Sequence, residues 1–555
     1  MITLVAIAWT TLLFLSENGS EDEAPNIVKR ETLVTTTLGD ELPLFWLQEP
    51  GAPMNRPTVL IVGGLGGGEE ESVQLLNSLV SALRLGYGEG DDEITTFFSR
   101  LSLVVLPSLN PSGLRLFRDF EGPFYTNKWI WPESFPWNGV PWDDDGDGRV
   151  DEDPPFDING DGVIGEMRRK EPWGKWREED AEEGYAHMVQ ADFVAGEEGG
   201  WTVWDREGAD KDGDGVFAED GVGGIAPDRN FPYRWARDQE VGGGGPFAAS
   251  EPEVRATVDF LLEHPEIVFV IVVRDLGGGL AFPLRDEGGE KLPDGDKKAF
   301  EAIGKPFIEL TPYNSVFQAK EGPSFWSDRG TFLDWAYAGL GRWAVMPGLW
   351  TLPVITSVKE AEEATGEPID VEEEEDESER FPTPWHQIKD EEWVERYGEI
   401  PWTEGSSKDG MEARGWPRFG RNRMPYEENL NGILTPWVLS LPQMVPTLQV
   451  AIEKGVRLGK ETVRLEIRVW NDGLLATDPE IAASIRESTP VRVDFPEGKF
   501  RLVMGEPHIN LGLLKPGESK EFTWIVSGRG VLGVAPFHPR SFSEPIEISL
   551  SEVGE

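Results

Sequence analysis

The sequence predicts an α/β domain with helices on both faces of its sheet, followed by a small all-β domain. The first part contains continuous apolar segments that alternate with amphipathic helices, which is typical of a sheet covered on both faces. The last part alternates apolar and charged residues with a period of two, as half-buried antiparallel strands do. At 555 residues, the chain is also longer than a single hydrophobic core usually supports.

Buried strands and capped helices define the α/β part. The apolar strand segments are residues 57–64, 101–107 and 267–273. A helix follows the first of them, because apolar residues recur there at helical spacing: Val73, Leu76, Val80 and Leu83. We expect that helix to end at Gly86. Ser250 and Glu253 are spaced as a capping box that opens a second helix, with a proline in its first turn.

The all-β prediction applies to residues 442–555, where the alternating strands pack as a β-sandwich. Its clearest segment is 463–469, which ends in an Asn-Asp-Gly turn. The α/β domain is predicted over residues 24–352. The connector between them, 353–441, is rich in Pro, Trp and charge, and within it residues 360–379 hold twelve acidic residues and no basic one. Such a stretch is typical of a surface linker.

Composition excludes several classes of function. The chain has 51 Lys and Arg against 101 Asp and Glu, a formal charge of −50. Nucleic acids and anionic lipids are polyanions, so we expect neither as a partner. With no cysteine, disulfides, thiol catalysis and Cys-ligated metals are excluded, and only five histidines remain as nitrogen ligands.

The N-terminus raises the question of compartment. Residues 2–15 are apolar but too short to span a bilayer, and they match the core of a signal peptide within residues 1–23. No basic residue precedes Lys29, so a buried N-terminal segment is the alternative. Nothing else in the sequence resembles a membrane span. We predict an extracytoplasmic protein (periplasmic, secreted or in the cell envelope).

Three Asp-rich loops lie in an insert at residues 140–222. Each has oxygen-bearing side chains at positions 1, 3 and 5, Gly at 6 and Glu at 10. The candidate ligands are Asp143, Asp145, Asp147 and Glu152 in the first loop, Asp157, Asn159, Asp161 and Glu166 in the second, and Asp210, Asp212, Asp214 and Glu219 in the third. Alternating oxygens around a glycine turn can wrap a hard cation. We predict structural calcium, with a solvated acidic turn as the alternative.

Several stretches, in this order along the chain, resemble the zinc carboxypeptidases, the carboxypeptidase A-like metallopeptidases. They include PTVLIVGGLGGGEEES, VLPSLNPSGLRLF, SEPEVRATVDFL, VVRDLGGGLAFP and RGTFLDWAYAGLGRWAVMPGLW, and they cover roughly residues 55–350. The Asp-rich insert and all-β tail are similar to those of bacterial members. The resemblance implies a carboxypeptidase-like mixed sheet and, in an intact member, zinc-dependent proteolysis.

The residues that the resemblance would make catalytic have largely been replaced. The family holds zinc with a His-x-x-Glu motif and a second His at the end of a later strand, and it uses a Glu as general base. Here the first His position reads Gly66 while Glu69 remains, the second His position reads Arg274, and the base position reads Gly348. We therefore expect no zinc and no peptidase activity.

Arg274 should take over part of the charge that the metal would supply. A permanent cation repels zinc, and it can pair with the remaining carboxylate, so we predict a buried ion pair between Glu69 and Arg274. The alternative is a carboxylate-only site for a hard ion, made by Glu69, Glu70 and Asp275.

Residues for substrate recognition are partly retained. The family binds the terminal carboxylate of its substrate with an Asn-Arg pair, which reads Asp228-Arg229 here, and another Arg position matches Arg168 or Arg169. A guanidinium fork fits a carboxylate. The alternative is that Arg229 forms salt bridges inside the protein.

Three functional hypotheses follow. The chain is a calcium-stabilised homologue without peptidase activity that binds peptide or protein C-termini, an active metallocarboxypeptidase with an unconventional metal site, or a structural envelope protein. The sequence does not indicate the oligomeric state.

Overall fold

The computed structural model describes residues 26–53, 56–119, 124–125, 137–141, 143, 150, 153, 156–160, 163–180, 186–204, 207–210, 217–218, 224–237, 243–276, 278–283, 292–313, 315–318, 329–350, 402–404, 411–414, 432–496 and 498–553. The N-terminal apolar segment and the acidic stretch 360–379 lie outside these ranges, so the predictions about them stay untested. Within these ranges, no helix has both the length and the apolar character that a membrane span requires.

The N-terminal part of the chain contributes four strands and three helices to the main domain. Its elements are β1 (Val28–Thr35), β2 (Glu41–Leu47), β3 (Thr58–Val62), α1 (Glu70–Glu89), α2 (Asp92–Arg100), β4 (Ser102–Leu106) and α3 (Pro111–Asp119). Helix α1 buries the predicted apolar stripe. It passes Gly86 and ends instead at Gly90, whose φ of 77° provides the left-handed cap that favours glycine.

Short strands form the insert and the segment before it, and a 3₁₀ turn follows. Its strands are β5 (Phe124–Tyr125), β6 (Val163–Ile164), β7 (Glu166–Lys170), β8 (Trp176–Asp180), β9 (Ala186–Gln190) and β10 (Trp201–Trp204). The 3₁₀ turn, Pro227–Arg229, then returns the chain to the main domain.

The second half of the main domain repeats the alternation of strands and helices. Its elements are α4 (Pro252–Glu263), β11 (Ile267–Val272), β12 (Arg274–Leu276), β13 (Gly279–Phe282), α5 (Asp294–Leu310), β14 (Val316–Gln318), α6 (Phe332–Asp334), a π-helical turn (Trp335–Gly339) and β15 (Trp343–Trp350). The capping-box prediction for α4 is wrong. Glu251 is the cap residue, and the Ser250 hydroxyl and Glu253 carboxylate bond other side chains, Glu251 and Asn138, instead.

These elements form the predicted mixed sheet. Nine strands are arranged in the order β1-β2-β4-β3-β11-β15-β13-β14, with β12 paired to β15. The central strands β3, β4, β11 and β15 are parallel. Every residue of β3, β4 and β11 is buried, because helices cover both faces. The carboxyl ends of the parallel strands meet at one edge, which is where a site forms in such folds.

A second sheet joins the insert to the connector. It has the order β16-β17-β7-β10-β8-β9, and its first two strands, β16 (Thr403–Glu404) and β17 (Met411–Arg414), come from the predicted connector, residues 353–441. Strand β17 pairs with β7 in antiparallel register. A small core of Ile158, Met167, Met411 and Ala413 holds the two together.

The C-terminal region is rich in β-strands, as the alternation predicts. Its elements are α7 (Thr435–Ser440), a 3₁₀ turn (Leu441–Gln443), β18 (Thr447–Arg457), β19 (Thr462–Asn471), α8 (Glu480–Ser484), β20 (Val491–Asp494), β21 (Arg501–Met504), β22 (His508–Gly512), β23 (Ser519–Ser527), β24 (Val531–Val534), β25 (Pro536–Phe537), β26 (Phe542–Ser543) and β27 (Ile546–Ser549). Alternate residues of β19 face a core that includes Trp524.

The C-terminal region is fastened to the α/β domain by buried contacts. Trp437 of α7 packs edge-on against Phe307 of α5, with ring centroids 5.2 Å apart. The Asp296 carboxylate of α5 accepts hydrogen bonds from the backbone N–H groups of Glu480 and Ile481 at 2.6 and 3.0 Å. A carboxylate at the start of α8 is favourable, because it satisfies N–H groups that the helix leaves unpaired.

Candidate functional site

The site begins at the glycine turn between β3 and α1. Glu69 is the residue before α1, and its side chain is fully buried. One carboxylate oxygen, Oε2, accepts hydrogen bonds from the backbone N–H groups of Leu65 and Gly66 at 2.9 and 3.1 Å. The carboxylate therefore closes the turn that precedes it.

Arg274 lies at the adjacent carboxyl end of the sheet. It is the first residue of β12, and in the parallel register with β15 it stands opposite Gly348. Its Nε donates to Oε1 of Glu69 at 2.5 Å, so the predicted ion pair is present. Only 8% of the Arg274 side chain is exposed. The substituted family positions Gly66, Arg274 and Gly348 thus come together around Glu69 at one edge of the sheet.

Arg274 has a second partner, Asp228. No sequence pattern indicates this contact. Nη1 of Arg274 donates to Oδ2 of Asp228 at 2.7 Å, and Oδ1 of Asp228 accepts from the backbone N–H of Phe332 at 2.8 Å. Arg274 therefore bridges two carboxylates from distant segments. The family resemblance assigns Asp228 to a substrate-binding pair, and its contact with Arg274 does not test that role.

Burial controls the protonation of this cluster. It raises the pKa of Glu69 to about 7, against the opposing effect of Arg274, and the neighbouring Asp275 adds to the rise. Burial also raises the pKa of Asp228, although Arg274 again opposes the shift. One guanidinium thus only partly offsets the cost of placing two carboxylates out of water.

Asp275 acts as a cap for α1. Its two oxygens accept from the backbone N–H groups of Ser72 at 2.7 Å and Glu71 at 3.2 Å. Burial, followed by the nearby Glu71 carboxyl, raises the pKa of Asp275 well above its usual range. Glu70, the third member of the proposed carboxylate-only site, pairs with Arg118 at 2.5 Å. Among the described residues, no group of three or more acidic or histidine side chains is arranged to hold a metal.

Arg168 and Arg169 lie on β7 of the second sheet. The Arg168 guanidinium sits over the rings of Trp201 and Trp402, at 4.2 and 4.3 Å from their centroids. It also pairs with Glu178 and Glu412 at 2.8 and 2.7 Å. These contacts favour a role in holding this sheet together, since stacked and paired guanidinium groups anchor neighbouring strands.

Arg169 and Arg229 have different surroundings. Arg169 pairs with Glu171, the residue that directly follows β7. Arg229 closes the 3₁₀ turn beside Asp228 and is partly exposed, and its charge opposes the rise that burial causes in the pKa of that carboxyl. The substrate-binding roles of these arginines remain predictions.

Most candidate calcium ligands lie outside the described residues. Of the twelve, the structure describes Asp143, Asp157, Asn159, Glu166 and Asp210. Asp157 Oδ1 accepts from the backbone N–H of Gly160 at 2.6 Å, which shapes the second loop. The side-chain amide of Asn159 donates to the Ala413 carbonyl of β17 at 3.3 Å.

A buried carboxylate that the sequence analysis did not single out holds the second loop. Glu207 is fully buried, and its oxygens accept from the backbone N–H groups of Ile158 and Gly165 at 2.9 and 2.8 Å. It therefore ties the two ends of the loop together. In the sequence it is one of seven acidic residues in 205–220, and no pattern separates it from the others.

Replacing Arg274 by Met tests the charge balance of the cluster. Glu69 and Asp228 would lose their shared cation, and breaking a buried pair costs about 3–5 kcal/mol of unfolding free energy. Carboxyls with a raised pKa in the folded state destabilise the fold as they ionise. The Arg274→Met variant should therefore lose more unfolding free energy at pH 8 than at pH 5. Denaturant titration at both pH values measures it.

The matched control is Arg118→Met. It removes a partly exposed ion pair with Glu70, the first residue of α1 and the neighbour of Glu69. Such pairs contribute about 0–1 kcal/mol. Equal losses for the two variants, or a loss for Arg274→Met that does not depend on pH, would contradict the interpretation.

Solved structures of carboxypeptidases resemble this chain only distantly. Thrombin activatable fibrinolysis inhibitor is 12% identical with a TM-score of 0.36, over 59% of this chain and 61% of that one. Carboxypeptidase A from Helicoverpa armigera is 15% identical with a TM-score of 0.34, over 58% and 60%. A metallo-carboxypeptidase from Burkholderia cenocepacia is 12% identical with a TM-score of 0.30, over 58% and 55%. The chain thus spans about three fifths of their lengths, and likenesses this weak support no argument.

Two protein families match parts of the sequence. No curated protein sequence matches the chain. A family described as a domain of unknown function matches residues 447–548, which form the β-rich C-terminal region. The family described as zinc carboxypeptidase matches residues 18–143 and 155–350, more than half of the chain and the whole of the nine-stranded sheet. This chain belongs to the zinc carboxypeptidase family.

Proposed function

We propose that this family member has lost zinc-dependent peptidase activity and uses its cleft to bind the C-termini of peptides or proteins. The observation that carries the proposal is the buried Arg274, hydrogen-bonded to Glu69 where the family places a neutral metal ligand. A guanidinium has no lone pair to give to a metal and stays protonated in proteins.

The remaining family positions support the same interpretation. Catalytic zinc needs about three side-chain ligands and an open position for water. Gly66 and Gly348 offer no ligand and no base, and both oxygens of Glu69 already accept hydrogen bonds. The cluster therefore resembles a charge-compensated structural network more than a site that activates water.

Recognition of a terminal carboxylate would depend on Arg229. Asp228, which precedes it, is bonded to Arg274, so its negative charge is already partly neutralised within the cleft. An arginine at this position can bind a carboxylate through two parallel N–H groups. The other two hypotheses, an active enzyme and a structural envelope protein, become outcomes of the tests below.

We also propose that the chain works outside the cytoplasm with structural calcium in its Asp-rich loops. Bound calcium would offset the repulsion among the acidic residues of the insert, and the backbone hydrogen bonds of Asp157 and Glu207 support an ordered second loop.

Metal analysis combined with a peptidase assay tests the loss of activity. Purified protein should contain far less than one zinc per chain and should release no C-terminal residue from peptide substrates. The double variant Gly66→His, Arg274→His restores the two missing histidines beside Glu69, so it should bind zinc in stoichiometric amount. Near-stoichiometric zinc in the unmodified protein, with peptide release that a chelator abolishes, would instead establish the active enzyme.

Peptide binding can be tested with matched ligands and variants. Peptides with a free C-terminus should bind, and the same peptides with an amidated C-terminus should bind at least about tenfold more weakly, as loss of a charge-assisted pair implies. Arg229→Ala should remove that difference in calorimetry. Arg237→Ala, which changes an exposed arginine on the same segment, is the control. Equal binding of both peptide forms would favour a structural protein.

Calcium should raise the melting temperature relative to a chelated sample, because a ligand that binds only the folded state stabilises it. Asp157→Asn keeps an oxygen that can accept the Gly160 hydrogen bond but removes a charge from the second loop. It should therefore reduce the calcium effect while leaving the chelated protein nearly unchanged. An identical melting temperature with and without calcium would refute the proposal.

A further inference from the structure

Asn138 forms a buried junction at the other end of the insert, away from the cleft cluster. We propose that Asn138, Glu251 and Glu253 form a proton-dependent clasp, which holds the two ends of the insert against α4 when a proton is bound and loosens when both carboxyls are ionised. The proposal does not depend on the presence or absence of zinc.

The geometry of the clasp centres on one amide group. Asn138 Nδ2 donates to Oε2 of Glu251 at 2.6 Å and to Oε1 of Glu253 at 3.1 Å. Asn138 Oδ1 accepts from the backbone N–H groups of Val140 and Ile225 at 3.2 and 3.1 Å. These bonds fix the orientation of the amide, with its NH₂ group toward the two carboxyls. Because the NH₂ group rather than the amide oxygen faces the two carboxyls, a metal ion between them is disfavoured.

The two carboxyls are nearly inaccessible to water. Glu251 is 5% exposed and Glu253 is 1% exposed. Oε2 of Glu253 is buried and has no hydrogen-bond partner among the described residues. Hydrogen bonds from its own backbone N–H and from Asn138 favour the ionised form of Glu253, but burying an ionised carboxylate without a cation costs several kcal/mol, and binding a proton removes that charge. Burial, with a further contribution from Glu251, accordingly raises the pKa of Glu253 to about 7.

The groups that face the pair do not supply a full countercharge. Burial raises the pKa of Glu251 too, and the charge of Arg255 opposes this only weakly, since its guanidinium donates to the Ala249 and Ser250 carbonyls. The Ser250 hydroxyl donates to Glu251 at 3.1 Å. The N-terminus of α4 favours ionisation, but burial has the larger effect on both carboxyls.

Opening of the clasp would be transmitted along the chain toward the cleft. The backbone of Asn138 also donates to the Ile225 carbonyl at 2.9 Å, so residues 137–140 and 224–226 form one unit. Asp228 lies in the 3₁₀ turn that directly follows residues 224–226, and it accepts a hydrogen bond from Arg274. A raised carboxyl pKa gives stability that is complete below about 4.5 and is lost as pH rises through about 7. The clasp should therefore be closed in mildly acidic solution and weakened in alkaline solution.

Amide hydrogen exchange on the full chain tests whether the clasp opens as pH rises. The backbone N–H groups of Val140 and Ile225 report on it directly, because both donate to Asn138 Oδ1. Their protection factors, corrected for the intrinsic pH dependence of exchange, should fall at least about tenfold between pH 6 and pH 8.5. Glu253→Gln has no titrating proton at this position, so its protection at these two amides should hardly change with pH. Glu263→Gln, at the exposed far end of α4, should behave like the unmodified protein.

Val270 of the buried strand β11 reports on global unfolding, so protection at Val140 and Ile225 that stays well below that at Val270 throughout the pH range identifies local opening of the clasp. If Glu253→Gln fails to fold, Glu251→Gln provides the same comparison. Constant protection at Val140 and Ile225, an unchanged pH response in the Gln variants, or protection at Val140 and Ile225 equal to that at Val270 would each overturn the proposal.

Discussion

The structure depends on how charge is compensated where the carboxyl ends of its central strands meet. Glu69 is buried there by the turn between β3 and α1, and no water can solvate it. A buried carboxylate needs either a cation or several hydrogen bonds. Glu69 has both: two backbone N–H groups from its own turn and the guanidinium of Arg274. Because Arg274 also bonds Asp228, the same interaction joins the sheet to the turn that ends the insert.

The same constraint recurs through the molecule, since acidic residues outnumber basic ones by 101 to 51. Several buried carboxyls use donors other than cations. Asp275, Asp296 and Glu207 accept hydrogen bonds from backbone N–H groups, two of them at helix starts. Glu253 shares an amide with Glu251, and burial raises its pKa to about 7. Backbone donors and a bound proton thus supplement lysines and arginines in this interior.

The sequence was most informative where a pattern is local. Buried apolar strands and period-two strands predicted both kinds of sheet, and the replacement of a ligand position by arginine predicted the Glu69–Arg274 pair. Contacts between distant segments left no such pattern. Strand β17 pairs with β7 across more than 240 residues, and Asp228 reaches Arg274 across 46. Nothing in the sequence near either partner identifies the other. The capping box failed for a related reason, because Glu253 is bonded by Asn138 from 115 residues away.

Exchanging a metal for a guanidinium changes the charge of the cleft as well as its ligands. Zinc would bring two positive charges to Glu69, whereas Arg274 brings one, and Asp228 adds a negative charge where the family has a neutral asparagine. Since Gly348 also removes the negative charge of the family's general base, the cleft is about one charge more negative than a zinc-loaded one. Stabilising the negative charge that develops on a substrate carbonyl requires positive groups aimed at it. A central cation that is already bonded to two carboxylates is less able to do this, which supports the proposed loss of activity, and the proposed binding of an anionic group would depend on cations at the margin of the cleft.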